Sequence, residues 1–303
     1  MPHLTLSMKT NYLDEHLILK LSQIPIKPLS LAEGLFKGRH RSKRSGEEVE
    51  FKEFRPYIQG DDLKKIDWKR SARQENYFVK EMEDELNYKV HFIIDQSSSM
   101  NQASKGLLSK IEYSKFLVAA LAYLFVKQGD QVQVSSFSNR FNSIFKLSNN
   151  IQKMSLLVES LNSLSTKGSS DFYSLIGNAR PLRSNKMILF LLSDLICDPN
   201  ILYACLSKLS SPRVKIILFH LLSPDELDFP FKGEVNFIDP ESNDTFSCNA
   251  GQIRAKFKAQ WERFCNDLRF WTQKWDMEYK SFNTNIHYSE NLLDFIKSYH
   301  LKP

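Results

Sequence analysis

The middle of the chain is a succession of short, continuous apolar runs separated by helical patterns, and no other feature restricts the fold as tightly. Lys89 to Ile94 (KVHFII) halts at Asp95, Met187 to Leu192 (MILFLL) halts at Ser193-Asp194, and Val214 to Leu222 (VKIILFHLL) is a third run. Runs of this length read as strands buried on both faces, and their alternation with helices predicts a parallel sheet covered by helices. A helix is expected from about Ser104 to Gln128, where Leu107, Leu108, Ile111, Phe116, Ala119, Ala120 and Tyr123 recur at three-and-four spacing until Gly129-Asp130 stops it. Gln131 to Ser136 (QVQVSS) alternates as a half-buried strand should, with Phe141 to Leu147 as its hairpin partner. Together these elements make an open α/β sheet over about residues 88–224.

The flanks differ in character. Residues 1–87 are rich in charge, hold no long periodic helix and include strand-like pieces such as Val49 to Phe54, so they read as a smaller N-terminal β-containing segment. Residues 88–303 read as the α/β domain with a C-terminal extension. In that extension Pro224, Pro230, Gly233 and Pro240 break up short β-like runs, Gln252 to Trp275 forms a long amphipathic helix, and a strand (Met277 to Phe282) and a helix (Leu292 to Tyr299) close the fold. The stripe Trp261, Phe264, Leu268, Trp271 and Trp275 falls at helical spacing and reads as core-facing.

Composition narrows the functional classes. With 42% hydrophobic and 25% charged residues, wholesale disorder is excluded. The longest apolar run, Phe116 to Val126, is 11 residues, well short of the ~20 that cross a bilayer. The first 20 residues carry Asp14 and Glu15 and lack an uninterrupted apolar region, so no secretory signal is read and a cytoplasmic location is expected. Cys197, Cys205, Cys248 and Cys265 are spaced neither as a zinc pair nor as a disulfide framework, and read as core thiols. Net charge is only +6, yet Lys37 to Arg44 holds five basic residues in eight. That run reads as a solvated loop or an acidic-protein dock. Nucleic-acid binding is not expected, because only Phe36 borders the run as a stacking aromatic.

Open parallel sheets bind ligands beyond the carboxyl ends of their strands. Asp95, Ser97 and Ser99 leave the first such end on one loop, Asp194 leaves another, and Lys167-Gly168-Ser169-Ser170-Asp171 lies between them as a Gly-marked loop opening a helix. Asp95, Ser97, Ser99, Ser170 and Asp194 would supply only oxygens, a set that suits magnesium or manganese with water completing the octahedron.

Asp95-x-Ser97-x-Ser99, the Gly168-Ser169-Ser170-Asp171 loop and Ser193-Asp194 resemble the metal-ion-dependent adhesion site of the von Willebrand factor A domain, with serine at 170 where threonine is usual. The resemblance implies metal coordination by the hydroxyls, aspartates acting largely through water, and an open position for a partner protein's carboxylate. Gln96, Ser98, Met100 and Asn101 would form the rim of that contact. A second resemblance spans nearly the whole chain. Phe54-Arg55-x-Tyr57-x-x-Gly60-Asp61-Asp62-x-x-x-Ile66-Asp67-Trp68-x-x-Ser71-Ala72-Arg73 is similar to the signature of the domain-of-unknown-function fifty-eight family, with Lys64 and Lys65 where arginines are usual. That family joins a von Willebrand A-like domain to an N-terminal β-rich segment, and its resemblance implies a MoxR-type AAA+ ATPase and a client protein complex as partners. Physically, Gly60-Asp61-Asp62 reads as a turn into a short helix capped by Asp61 and anchored by Ile66 and Trp68. Arg55, Arg70 and Arg73 would meet Asp62, Asp67 or Glu85 at a joint between the segments, the alternative being a docking surface.

Enzymatic readings find less support. Position 97 is serine, where a dehalogenase-type phosphatase needs a second aspartate, and neither a phosphate-binding P-loop nor a nucleophile elbow is present. His91 and His220 lie within strand runs and read as core histidines. The sequence therefore favours a non-enzymatic, metal-dependent protein-binding module on a Rossmann-type α/β fold. A structural domain with a degenerate metal site and an enzyme of unrecognised mechanism are the alternatives.

Overall fold

The computed structural model describes residues 12–13, 50–59, 61, 66–74, 76–83, 88–178 and 187–300. The basic run 37–44, together with Gly60, Asp62, Lys64, Lys65 and Glu85, lies outside these residues. The chain divides into two compact units, residues 37–87 and residues 88–303 together with the first 36.

In the smaller unit, strands β1 (Glu50–Pro56) and β2 (Phe78–Glu83) pair antiparallel, with a register shift between Phe51 and Glu53. Helix α1 (Trp68–Gln74) lies between them in sequence. Asp67 caps it, its Oδ1 accepting the Arg70 N–H at 3.0 Å, and the Ser71 hydroxyl joins the Asp67 carbonyl to the Phe78 N–H. Asp61 accepts the Ile58 N–H at 2.9 Å. Ile66 is buried and bridges to Val79, as an anchor should. Trp68 is not an anchor: it is 60% exposed and meets Tyr77, which also contacts Tyr57, edge to face. Tyr77 is itself an exposed aromatic, so the Trp68 ring packs at the surface rather than in a core. Arg55 and Arg73 lie in β1 and α1, but their side chains are outside the described residues.

The larger unit follows the α/β order. Strand β3 (Lys89–Asp95) is followed by a 3₁₀ turn (Ser98–Asn101), helix α2 (Lys110–Lys127) and the hairpin β4 (Gln131–Phe137) and β5 (Phe141–Ser148). Next come α3 (Met154–Asn162), α4 (Phe172–Gly177), β6 (Met187–Ser193), α5 (Pro199–Leu209), β7 (Val214–Leu222) and the single-turn α6 (Pro224–Asp228). The hairpin β8 (Glu234–Ile238) and β9 (Thr245–Asn249), helix α7 (Ala250–Lys274), β10 (Glu278–Asn283) and α8 (Tyr288–His300) complete the unit. The main sheet runs β10-β7-β6-β3-β4-β5, all parallel except β5. This is the open, mostly parallel sheet flanked by helices that the apolar runs predict.

Alternate residues of each central strand serve opposite layers, as the pleat requires. Phe92, Ile94, Phe190 and Leu192 pack with α2 and α8 on one face, whereas Ile93, Leu189, Leu191 and Leu218 pack with α4, α5 and Leu268 of α7 on the other. Tyr12, from the stretch read with the N-terminal segment, joins the first layer, its ring edge-on to Phe116 and its hydroxyl on Glu112. Helix α2 begins at Lys110 and not near Ser104. Gly106 sits at φ +80°, a turn conformation, and Ser109 takes the cap by accepting the Glu112 N–H. The aromatic stripe of α7 is half-buried and only Leu268 is sealed, because the helix lies on the rim of its layer. The cysteines are free, with Cys205 and Cys265 buried.

Asp130, at the start of β4, accepts the Tyr88 N–H at 2.9 Å, and burial pushes its pKa up to about 7. Because the folded pKa lies above the unfolded value, this carboxylate costs stability progressively as pH rises from about 4 through about 7. Asp130→Asn, which keeps the acceptor, should raise the melting temperature at pH 8 by a few degrees, roughly 1 kcal/mol. The gain should fade toward pH 4 in a differential scanning series.

Candidate functional site

The order of β3 and β6 decides where a ligand can sit. From β3 the chain builds outward through β4 and β5 and then returns to add β6, β7 and β10 on the other side, so the direction reverses between β3 and β6. The crevice beyond that reversal is the expected binding place of such sheets. The carboxyl ends facing it are Asp95 and Ser193-Asp194.

Asp95 is fully buried, and its carboxylate gathers three segments. Oδ1 accepts the Ser97 N–H at 2.9 Å, while Oδ2 accepts the hydroxyls of Ser170 (2.8 Å) and Ser193 (2.6 Å). The Ser97 and Ser99 hydroxyls stand 3.0 Å apart beside it. The Gly168 loop is brought in by backbone bonds from Ser98 N–H to the Gly168 carbonyl (2.9 Å) and from Lys167 N–H to the Gln96 carbonyl (2.8 Å). Gly168 sits at φ +70°, and a Cβ there would come within 2.6 Å of Asn139, which also holds the Ser169 N–H. A side chain there would strain the backbone and would have to displace the Asn139 amide. Asp95 is pushed up to about 7, first by burial and then by repulsion from Asp194, while the bonds from Ser193, Ser97 and Ser170 draw it back.

Asp194 is equally buried but is held by different means. Its Oδ2 takes the Lys110 ammonium at 3.0 Å, and that ammonium also meets Glu226 Oε1 at 2.5 Å. The other Glu226 oxygen accepts the N–H and the hydroxyl of Ser223, closing a capping box on α6. Burial alone would lower the Lys110 pKa, but attraction to Asp194 and Glu226 outweighs it and holds the pKa above its ordinary value. His220 fixes the Asp194 carbonyl through Nε2 (2.9 Å) and reaches the Tyr279 hydroxyl through Nδ1 (2.7 Å); burial pushes its pKa down to about 4. His91, likewise lowered to about 4 by burial, is paired with the buried Ser135.

The structure thus brings Asp95, Ser97, Ser99 and Ser170 into direct contact around one point, with Asp194 coupled to Asp95 by charge. Of the rim residues, Ser98 is half-buried and Asn101 exposed, but Gln96 and Met100 are buried and form no rim. The Gln96 amide is turned inward to the Ser165 carbonyl and the Ser136 hydroxyl, and Met100 packs in the core layer of α2. Lys110 and Glu226 escaped the sequence reading. Lysine in the first turn of an apolar helix opposes the helix dipole, and that mismatch was the available sign of Lys110. Ser-x-x-Glu at 223–226 was the sign of Glu226.

The donor set fits a hard divalent cation. The Ser170 hydroxyl, which donates to Asp95, keeps its lone pairs for a metal, and the two carboxylates of Asp194 and Glu226 share the single Lys110 ammonium. Among the described residues no group of three or more His, Cys, Asp or Glu could hold a metal ion, so hydroxyl oxygens are essential to any such site.

The family model described as "Protein of unknown function DUF58" matches residues 53–264, more than two thirds of the chain. The chain belongs to this family. Its matched region takes in most of the open, mostly parallel α/β sheet. Among solved structures, the conserved hypothetical protein BatB from Bacteroides thetaiotaomicron is similar at 12% identity and a TM-score of 0.42, covering 70% of this chain and 99% of that one. An aerotolerance-related membrane protein from Bacteroides fragilis NCTC 9343 matches at 16% identity, a TM-score of 0.42 and the same shares. The SpRpn10 VWA domain matches at 10% identity and a TM-score of 0.40, covering 69% of this chain and 95% of that one. No curated protein matches the sequence.

Removing the Lys110 ammonium strands the Asp194 carboxylate as a buried charge without its cation and takes the cation from the half-buried Glu226. Lys110→Met in this DUF58 protein should therefore cost about 3–5 kcal/mol, read as a shifted urea midpoint.

Proposed function

We propose that this DUF58 protein is a metal-dependent protein-binding module rather than an enzyme. The Asp95 edge would hold Mg2+ or Mn2+ through the hydroxyls of Ser97, Ser99 and Ser170, with Asp95 and Asp194 behind them. What carries this is the geometry of Asp95: a buried carboxylate whose charge fixes three hydroxyl-bearing segments around one point at the reversal of the sheet. When bound, the cation supplies a Lewis-acid contact for a carboxylate of a partner protein. Asp95 orients the Ser170 hydroxyl and the Ser97 backbone, the Ser97 and Ser99 hydroxyls hold each other, and the Gly168 loop keeps Ser170 in reach. Lys110 neutralises part of the charge on Asp194 without entering the hydroxyl cluster. The histidines favour binding over catalysis. His91 and His220 are buried with partners other than Ser97 and Ser99, so neither serves those hydroxyls as a base.

The family resemblance supports a MoxR-type AAA+ ATPase and its client complex as partners, in a cytoplasmic setting. No helix among the described residues is long and apolar enough to cross a membrane. A second reading, a structural domain with a degenerate site, is favoured by the ammonium of Lys110 on Asp194, which occupies one oxygen of a ligand pair.

Isothermal titration decides between them. The native protein should bind Mg2+ or Mn2+, and Ser97→Ala with Ser99→Ala should weaken binding by at least about tenfold while the fold persists by circular dichroism. Absence of binding by the native protein would leave the degenerate reading. Pull-downs of a MoxR-type ATPase should succeed in Mg2+ and fail in EDTA; full capture in EDTA would show that the contact does not run through a metal.

A further inference from the structure

The β8–β9 hairpin ends in a tip, residues 239–244, that closes on itself. Asp239 Oδ1 accepts the N–H groups of Glu241 (2.8 Å) and Ser242 (3.4 Å), its carbonyl accepts the Asn243 N–H, and its own N–H goes to the Asp244 carbonyl. From residue 238 to residue 247 every position is exposed except Glu241. It is half-buried, and the Ser170 N–H and the Ser99 hydroxyl, both of the Asp95 edge, draw its carboxyl pKa down. Burial, the largest influence, and Asp194 push the pKa up and prevail. Glu241 Oε1 is buried and accepts no hydrogen bond. An unpartnered carboxylate oxygen out of water is costly, and neighbouring Asp194 makes it worse. A cation beside the oxygen would offset both costs.

We propose that Glu241 is a further ligand of the cation, supplied by the chain itself, and that it holds the position a partner's carboxylate takes. The assignment rests on the metal reading of the Asp95 edge and deepens it. Because the tip is bonded within itself, it moves as one piece, and its withdrawal is the step that opens the site to a partner's acid.

Mn2+ binding to the full chain, followed by electron paramagnetic resonance and water proton relaxation, tests this in the native protein and in Glu241→Gln. The variant should bind on the order of tenfold more weakly, and its bound Mn2+ should carry about one more water. Equal affinity with equal hydration would overturn the role of Glu241 and leave the metal site standing. No binding by the native protein would overturn the metal reading, and Glu241's role with it. Hydrogen exchange in the native protein gives an answer that does not depend on the variant folding: amides of 239–244 should slow when Mn2+ binds, and unchanged exchange with Mn2+ bound would overturn the assignment.

Discussion

Asp95 ends a strand and is sealed from solvent by the protein around it, and much of the larger unit is arranged to make that bearable. A carboxylate out of solvent needs donors, and the donors come from its own loop, from the loop before α4 and from the end of β6. Three connections that could otherwise wander are thereby tied to one group. Asp194 adds a second buried charge beside the first. The fold answers with Lys110, held in turn by Glu226, and with His220, which pins the backbone of Asp194 while staying neutral. The polar centre of the site and the apolar sheet are therefore interdependent: the strands exclude water, and the hydrogen bonds make its exclusion tolerable.

The sheet was legible in the sequence because strands buried on both faces have nowhere to place polar residues. β6 and β7 are sealed almost throughout, and their apolar runs mark them within one residue. The hairpin of β4 and β5 was legible from the alternation at the start of β4, although Ser135, Ser136 and Phe137 beyond it are all buried. The start of α2 was misplaced because apolar spacing continues through Leu107 and Leu108. Ser109 and Glu112 form the Ser-x-x-Glu pattern that should have outweighed it.

Within the site, spacing identified the hydroxyls but not the directions of their neighbours. In Asp95-Gln96-Ser97-Ser98-Ser99 the functional side chains alternate with others, and the alternates are free to face elsewhere. Gln96 turns inward to bond the Gly168-side loop and β4, so it braces the site instead of bordering it. Lys110 is a different case. Its place in a first helical turn marks it as out of pattern, but whether it faces water or two carboxylates depends on β6 and α6, which lie far along the chain.

The outer strand β5 has a consequence of another kind. Its pairing with β4 is broken by register shifts at Val132/Val134 and Val134/Ser135, and all its residues but Phe145 are exposed or half-buried. An irregular outer strand offers a poor template for a strand from another molecule. Copies of this protein crowded together find no ladder to extend on that side, so association by sheet polymerisation is disfavoured there even where local concentration is high.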